Sequence, residues 1–248
     1  DRTLIPKDKQ KYYSEKIVYM PDSYQPNLSR KNIFESSLSR QEVGLPDTGF
    51  VFCCFNNQYK ITPSTFAGWM NILNATDDSV LWLLVTNISA TKNLKKEAVK
   101  FGINEDRLIF AQRIPNEDHL KRMQLADLFI DTFPCNAHTT ASDALKMGLP
   151  ILTCIGESFA SRVAASLLNA VKLPELITTS QDEYESLAIE LAKNPKKMKI
   201  IKDKLLNNLN KTTLYDSLLY TRNLEVAYSL IYKRYHNELN LDNIEINS

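Results

Sequence analysis

From residue 49 onward, short apolar runs alternate with amphipathic stretches along the chain. Residues 49–55 (GFVFCCF) have the length and β-branched or aromatic content of a buried strand. Residues 63–75 (PSTFAGWMNILNA) then carry apolar positions at helical spacing, with Thr62 placed as N-cap and Pro63 at the first helical position. The pattern repeats. Residues 79–85 (SVLWLLV) predict a second strand, and 91–101 a Lys-rich helix closed by Gly102. Residues 107–111 (RLIFA) predict a third strand, followed by a helix over 116–126 that carries Leu120, Met123 and Leu125. Residues 128–132 (LFIDT) give a fourth strand and 139–147 a helix stopped by Gly148; 150–154 (PILTC) give a fifth strand, with a helix over 158–170. Strands apolar on both faces, each followed by a helix, predict an α/β fold with a doubly wound parallel sheet. In such sheets ligands bind beyond the carboxyl ends of the strands, so the strand-to-helix loops are where chemistry belongs.

The flanks have a different texture. Residues 1–48 hold one strand-like run, 16–20 (KIVYM), and then a polar stretch rich in Asn and Ser that ends in LPDTG. Residues 181–240 are rich in Lys, Leu and Glu at helical spacing, with a long final helix near 215–237. The expected division is an N-terminal segment (1–48), a doubly wound α/β lobe (49–180) and a C-terminal helical segment (181–248). A chain of 248 residues, 44% apolar and 24% charged, can bury a core without staples. Its net charge of +1 points neither to nucleic acid nor to an anionic membrane surface. No apolar run approaches the roughly 20 residues of a membrane span, and the opening at Asp1 suggests a piece of a longer protein. Cys53, Cys54, Cys135 and Cys154 show no CxxC or zinc spacing, which suits free thiols in a reducing, cytoplasmic compartment.

The loop after the fourth strand runs Asp131-Thr132-Phe133-Pro134-Cys135-Asn136-Ala137-His138-Thr139-Thr140, and Asp143 follows one turn into the helix. Free N–H groups and the positive end of a helix dipole make such a turn an anion site, and the Thr139 and Thr140 hydroxyls add donors. Asp143, four residues past Thr139 on the same face, is placed to accept both hydroxyls of a ribose. Spacing equally fits a plain N-cap by Thr139 with His138 packed against the loop. Lys60 lies just beyond the first strand, beside Asn57 and a helix start, where it can meet a phosphate or simply be solvated. His119 and Arg122, an i, i+3 pair, suit a nucleotide base or surface pairing with Glu117 and Asp118, and the residues alone favour the surface. No GxGxxG follows a strand, and no GxxxxGK[ST], GxSxG or metal-holding DxD is present. A phosphate here falls to a lysine, hydroxyls and a helix terminus, with no metal or cofactor expected.

Several strings in these loops, FNNQYKITPSTFAGWMNIL, PNEDHLKRMQLADLFIDTFPCNAHTTASDALKMGLPILT and SFASRVAASLL among them, resemble the C-terminal catalytic lobe of the O-linked N-acetylglucosamine transferase and SPINDLY family, bacterial members above all. The likeness runs in order over about residues 10–235, and CNAHTTASD is its most specific part. It implies the Rossmann-like second lobe of a GT-B glycosyltransferase, with KIVYMPDSYQPN as the connection from a first lobe. It matches Lys60 and Asn57 to diphosphate contacts, and His138, Thr139 and Thr140 to the pyrophosphate-receiving helix start. Asp143 matches the ribose carboxylate, His119 and Arg122 base-facing positions, and Cys135 a residue lining the donor pocket. The implied reaction is inverting, metal-independent transfer from UDP-N-acetylglucosamine to Ser or Thr of proteins. Upstream, the family carries catalytic histidines in the first lobe and helical repeats that choose the acceptor, so this chain alone is expected to be inactive. Asn57 and Asn116 depart from the animal glucosaminyl type, which has Gln and Lys there, toward plant SPINDLY proteins that transfer fucose from GDP-fucose. Rival readings are another GT-B enzyme, such as a protein glucosyltransferase or an epimerase, and a non-catalytic nucleotide-binding lobe. A signalling receiver is disfavoured, since Asp127 and Asp131 flank one strand without forming an acidic cluster.

Overall fold

The computed structural model describes residues 1–27, 38–84 and 87–247. The strands are β1 (Val18–Tyr19), β2 (Phe50–Cys54), β3 (Ser79–Leu84), β4 (Leu108–Ala111), β5 (Leu128–Ile130), β6 (Ile151–Cys154), β7 (Ile177–Thr178) and β8 (Ile244–Glu245), and the predicted apolar runs supply the first six. Helices are α1 (Pro63–Ala75), α2 (Ile88–Lys100), α3 (Asn116–Arg122), α4 (Thr139–Lys146), α5 (Val163–Ala170), α6 (Gln181–Lys193), α7 (Pro195–Leu209) and α8 (Ser217–His236). Six strands join in one parallel sheet of order β4-β3-β2-β5-β6-β7. Val51, Phe52, Leu81, Trp82, Phe129, Ile151 and Leu152 are fully buried, as strands covered on both faces require.

Chain order runs outward from β2 to β3 and β4, then returns to β5 on the other side of β2 and proceeds to β6 and β7. Right-handed crossovers place helices of the two halves on opposite faces. Accordingly α1 packs with α6 on one side, and α4 packs with α5 on the other. The reversal between β2 and β5, with Phe52 opposite Leu128 and Cys53 opposite Phe129, opens a crevice at their carboxyl ends.

Local chemistry sets the helix ends. Thr62 accepts from the Thr65 amide at 3.2 Å and Pro63 occupies the first turn of α1, as the sequence predicts. The helix predicted from 91 starts at Ile88, because the Asn87 side chain accepts from the Ser89 and Ala90 amides. The helix predicted over 116–126 ends in a 3-10 turn at Met123–Leu125, and that predicted over 158–170 is preceded by one at Phe159–Ser161 before α5 begins at Val163. β7 was not among the predicted strands: it has two residues and no apolar run, and forms by pairing with Thr153 and Cys154 of β6. Val85, the predicted end of the second strand, and residues 28–37 of the polar stretch lie outside the described residues.

The flanks return to the lobe. β1 and β8 pair in parallel, and Met20, Ala227 and Ile246 form a small cluster under α8. Leu4 enters the main core, and Arg162 donates to the Thr3 carbonyl at 2.7 Å. Among the described residues no helix is long and apolar enough to cross a membrane.

Gly49 enters β2 at φ +94°, and a Cβ there would collide with the Asp78 carbonyl oxygen that receives the Phe50 amide. Gly44 has φ +77° but open space around it. Gly49→Ala is expected to cost about 1–3 kcal/mol for the strained backbone plus the displaced Asp78, and Gly44→Ala the backbone part alone. Urea unfolding of both variants measures the difference; equal losses would show that the Asp78 contact contributes nothing.

Candidate functional site

The two central strands each end in a polar residue that turns inward. After β2 come Phe55 and then Asn56, 3% exposed; after β5 comes Asp131, also 3% exposed. The Asn56 amide donates to Asp131 Oδ1 at 3.2 Å and to Thr132 Oγ1 at 2.8 Å, joining the two loops across the crevice. Asp131 Oδ1 also accepts from the Thr132 and Ala137 amides at 2.8 and 2.7 Å, and Oδ2 accepts from Thr153 Oγ1 at 2.8 Å. Burial pushes this carboxyl up to about 7, against the opposing pull of the bonds from Ala137, Thr153 and Thr132 and of the Lys60 charge.

Lys60 reaches the same place from the β2 side. Exposed Asn57 accepts from the Tyr59 amide and starts a 3-10 turn, Gln58–Lys60. Lys60 Nζ then donates to the Asn136 carbonyl at 2.8 Å. Asn136 is fully buried, its amide donating to the Thr132 carbonyl at 3.0 Å. Half-buried Cys135 turns its carbonyl to Thr132 Oγ1 at 2.7 Å. The Phe133–Pro134 peptide is cis.

α4 then starts at Thr139 with His138 at the N-cap position and no side chain capping it. Thr139 is therefore not the N-cap; it is the exposed first residue of the helix, with half-buried Thr140 beside it. His138 Nε2 lies 3.4 Å from the Ala160 carbonyl and Nδ1 lies 3.4 Å from the Tyr24 hydroxyl. A carbonyl only accepts, so Nε2 carries the proton and Nδ1 accepts from Tyr24; burial lowers the affinity of the ring for a second proton. Asp143 is half-buried one turn into α4, its carboxyl raised by burial and held back by Lys146.

His119 and Arg122 correct the surface reading that their spacing favoured. Arg122 is 3% exposed, and Glu117 pairs instead with Lys121 at 2.7 Å. The Arg122 guanidinium donates to His119 Nδ1 at 2.9 Å and to the Gln112 carbonyl at 2.6 Å. It lies 5.3 Å from the Phe55 ring and 5.9 Å from Trp82, within cation–π range. Arginine has no acceptor, so His119 is neutral with its proton on Nε2. Burial and then Arg122 lower its pKa to about 4.

Thus Asn57, Lys60, Cys135, His138, Thr139, Thr140 and Asp143 all lie on the two loops, or the helix start, at the carboxyl ends of β2 and β5. His119 and Arg122 stand to one side, against Phe55. Asn56, Asp131, Asn136 and Tyr24 were missed as candidates. The available signal for two of them was position: Asn56 and Asp131 are the first polar residues after the apolar runs of the central strands.

A parallel sheet of this order, with its loops meeting at the switch point, is the nucleotide-binding architecture of one lobe of a GT-B glycosyltransferase. The chain superposes on a mutant O-GlcNAc transferase of Thermobaculum terrenum with a TM-score of 0.78 and 28% identity, covering 92% of this chain and 43% of that one. Residues 28–224 match the model of Glycosyl transferase family 41, and the chain belongs to that family. It is 37% identical over 210 residues to the UDP-N-acetylglucosamine–peptide N-acetylglucosaminyltransferase of Caenorhabditis elegans, covering 85% of this chain and 18% of that protein. It is 32% identical over 234 residues to a SPINDLY protein of Petunia hybrida, covering 93% of this chain and 25% of that protein. The chain thus spans about a fifth to a quarter of the length of these two relatives.

The His119 pKa, depressed from 6.5 to about 4, fixes a sign. The unfolded chain binds the proton first, so this contribution to stability is intact above pH 6.5 and is lost as pH falls toward 4. Thermal unfolding of wild type and His119→Gln is expected to show wild type losing its relative advantage across that window. A difference between them that does not vary with pH would contradict the neutral, buried imidazole.

Proposed function

We propose that this chain is the donor-binding lobe of a protein O-glycosyltransferase that takes a nucleoside diphosphate sugar, UDP-N-acetylglucosamine first, and transfers the sugar to Ser or Thr hydroxyls. The observation that carries the reading is Lys60: its ammonium is tied to the loop that opens α4, at the switch point of the sheet. A diphosphate placed there meets the ammonium, the uncapped first turn of α4 and the hydroxyls of Thr139 and Thr140. Asn57 joins from the β2 side, Cys135 lines the pocket and Asp143 takes the ribose. His119 and Arg122 face the base.

The lobe's chemical task is to help the nucleoside diphosphate leave. Negative charge grows on the bridging oxygen and the outer phosphate as the glycosidic bond breaks, and fixed donors aimed there favour the transition state over the ground state. Lys60 supplies a full positive charge and α4 its dipole, so the step as proposed uses no metal. Attack by the acceptor on the opposite face of the sugar gives inversion. The residue that removes the acceptor proton belongs, in this reading, to the partner lobe across the cleft, and residues 1–48 make the connection to it. Residues 181–248 then pack across both lobes.

Asn57 and Asn116, which depart from the animal glucosaminyl pattern, favour one second reading: a SPINDLY-like transfer of fucose from GDP-fucose. The base separates the two. Calorimetric titration of this chain is expected to favour UDP over GDP, with Lys60→Ala and Asp143→Ala each weakening UDP. Preference for GDP would move the assignment to the fucosyl type. In the full-length enzyme Lys60→Ala is expected to lower kcat at least about a hundredfold, as loss of a preorganised donor does. Near-normal turnover would remove Lys60 from the mechanism.

A further inference from the structure

We propose that Asp131 is the positioning residue of this site: one buried carboxylate that fixes the loop of Cys135–Thr140 against the turn carrying Lys60, so that both meet the same diphosphate. The proposal rests on the donor-site reading above. Asp131 is closed off from the crevice, with both oxygens engaged inside the protein. Its four donors come from places that must stay in register. Thr132 opens its own loop, Ala137 stands next to His138, Asn56 stands next to Asn57, and Thr153 belongs to β6.

Each bond fixes something the phosphate would feel. The Ala137 amide closes residues 131–137 into a ring, and the carbonyl of Asn136 inside that ring is the one that holds Lys60. The Asn56 bond sets the chain immediately before the Asn57–Lys60 turn. Thr153 ties the assembly to β6, the neighbour of β5 in the sheet. A carboxylate suits the place because three donors converge on one oxygen, and charge-assisted hydrogen bonds are the strong ones. The base side is built separately: Arg122 and His119 rest on Gln112, Phe55 and Trp82, none of which bonds to Asp131. Loss of Asp131 should therefore disturb phosphate binding and spare the base.

That selectivity separates positioning from mere cohesion. NMR titrations of this chain with uridine and with UDP, on wild type, Asp131→Ala and Asp131→Asn, read it directly. Guanosine and GDP replace them should the chain prefer guanine. Asp131→Ala is expected to cut the ratio of UDP to uridine affinity at least about tenfold, with uridine nearly unchanged. Asp131→Asn keeps the shape and one acceptor oxygen and should recover most of the loss. Asn56→Ala, which breaks only the bridge between the loops, should give a milder loss of the same kind and serves as the test if Asp131→Ala does not fold. Equal weakening of nucleoside and nucleotide, or no weakening, would overturn the proposal. Hydrogen exchange of the Ala137 amide without ligand gives a readout independent of nucleotide. Faster exchange in Asp131→Ala, or in Asn56→Ala should the former not fold, is expected, and an unchanged rate would overturn the positioning role. A wild-type chain that binds neither nucleoside nor nucleotide would instead sink the donor-site reading, with the exchange rate still deciding the role of Asp131.

Discussion

The pairing of β2 with β5 is the constraint on which the rest of the molecule depends. These strands are separated in sequence by two complete strand–helix units, yet lie side by side in register, Cys53 opposite Phe129. Because both are covered on both faces, their residues must be apolar throughout, and polar chemistry can begin only where they end. It begins at once, at Asn56 and Asp131. The helices that follow diverge to opposite faces of the sheet, so the two loops part and leave a crevice that neither half could make alone. Every functional candidate on the β2 and β5 loops inherits its position from that one junction.

Burying a carboxylate costs on the order of several kcal/mol unless its hydrogen bonds and a neighbouring charge compensate it. Asp131 has four donors within the protein and the Lys60 ammonium close enough to oppose its neutralisation. The cost is accepted beside a crevice, and a hydrophobic residue there would leave the Thr132 and Ala137 amides without this partner. The two imidazoles are held uncharged: His119 by burial and Arg122, His138 by burial beside Tyr24 and Ala160. Neutral imidazoles act as oriented donors without adding charge. The positive charge on the β2–β5 loops is thereby left to Lys60 and the start of α4, the polarity that the proposed diphosphate would need.

The strands of the central sheet were legible because a strand buried on both faces has to be an uninterrupted apolar run, and those runs stand out. β7 was not legible because two residues at a sheet edge need no such run. Helix starts were readable where a cap sits beside the apolar pattern, as at Thr62, and misplaced at α2, where Asn87 caps a turn lacking apolar periodicity. In the site, Lys60 and the His138–Thr140 loop were visible as residue types at strand ends. Arg122 was not, since an i, i+3 charged pair beside two carboxylates looks like a solvated helix face. Phe55, just past β2, and Trp82 of β3 come against it only through the fold, and no local pattern encodes that. Asp131 was seen as a loop residue but not as the loop's anchor, because its partners Asn56 and Thr153 meet it only through the fold.

If the lobe binds a nucleoside diphosphate sugar as proposed, discrimination between donors resides away from the phosphates. In the proposed reading Lys60, the start of α4 and Asp143 would face groups that every nucleoside diphosphate sugar shares, and so would set affinity and assist departure without choosing the donor. Choice of base would then fall to the region around His119 and Arg122. There a neutral imidazole offers an Nε2 proton and a guanidinium already commits donors to His119 and Gln112. A base is then selected by whether it presents an acceptor to that Nε2 proton and fits beside Phe55, and a purine needs more room there than a pyrimidine. Arg122 is rigidly spent on holding His119, so reassigning the base would require rebuilding the pair together with its aromatic support.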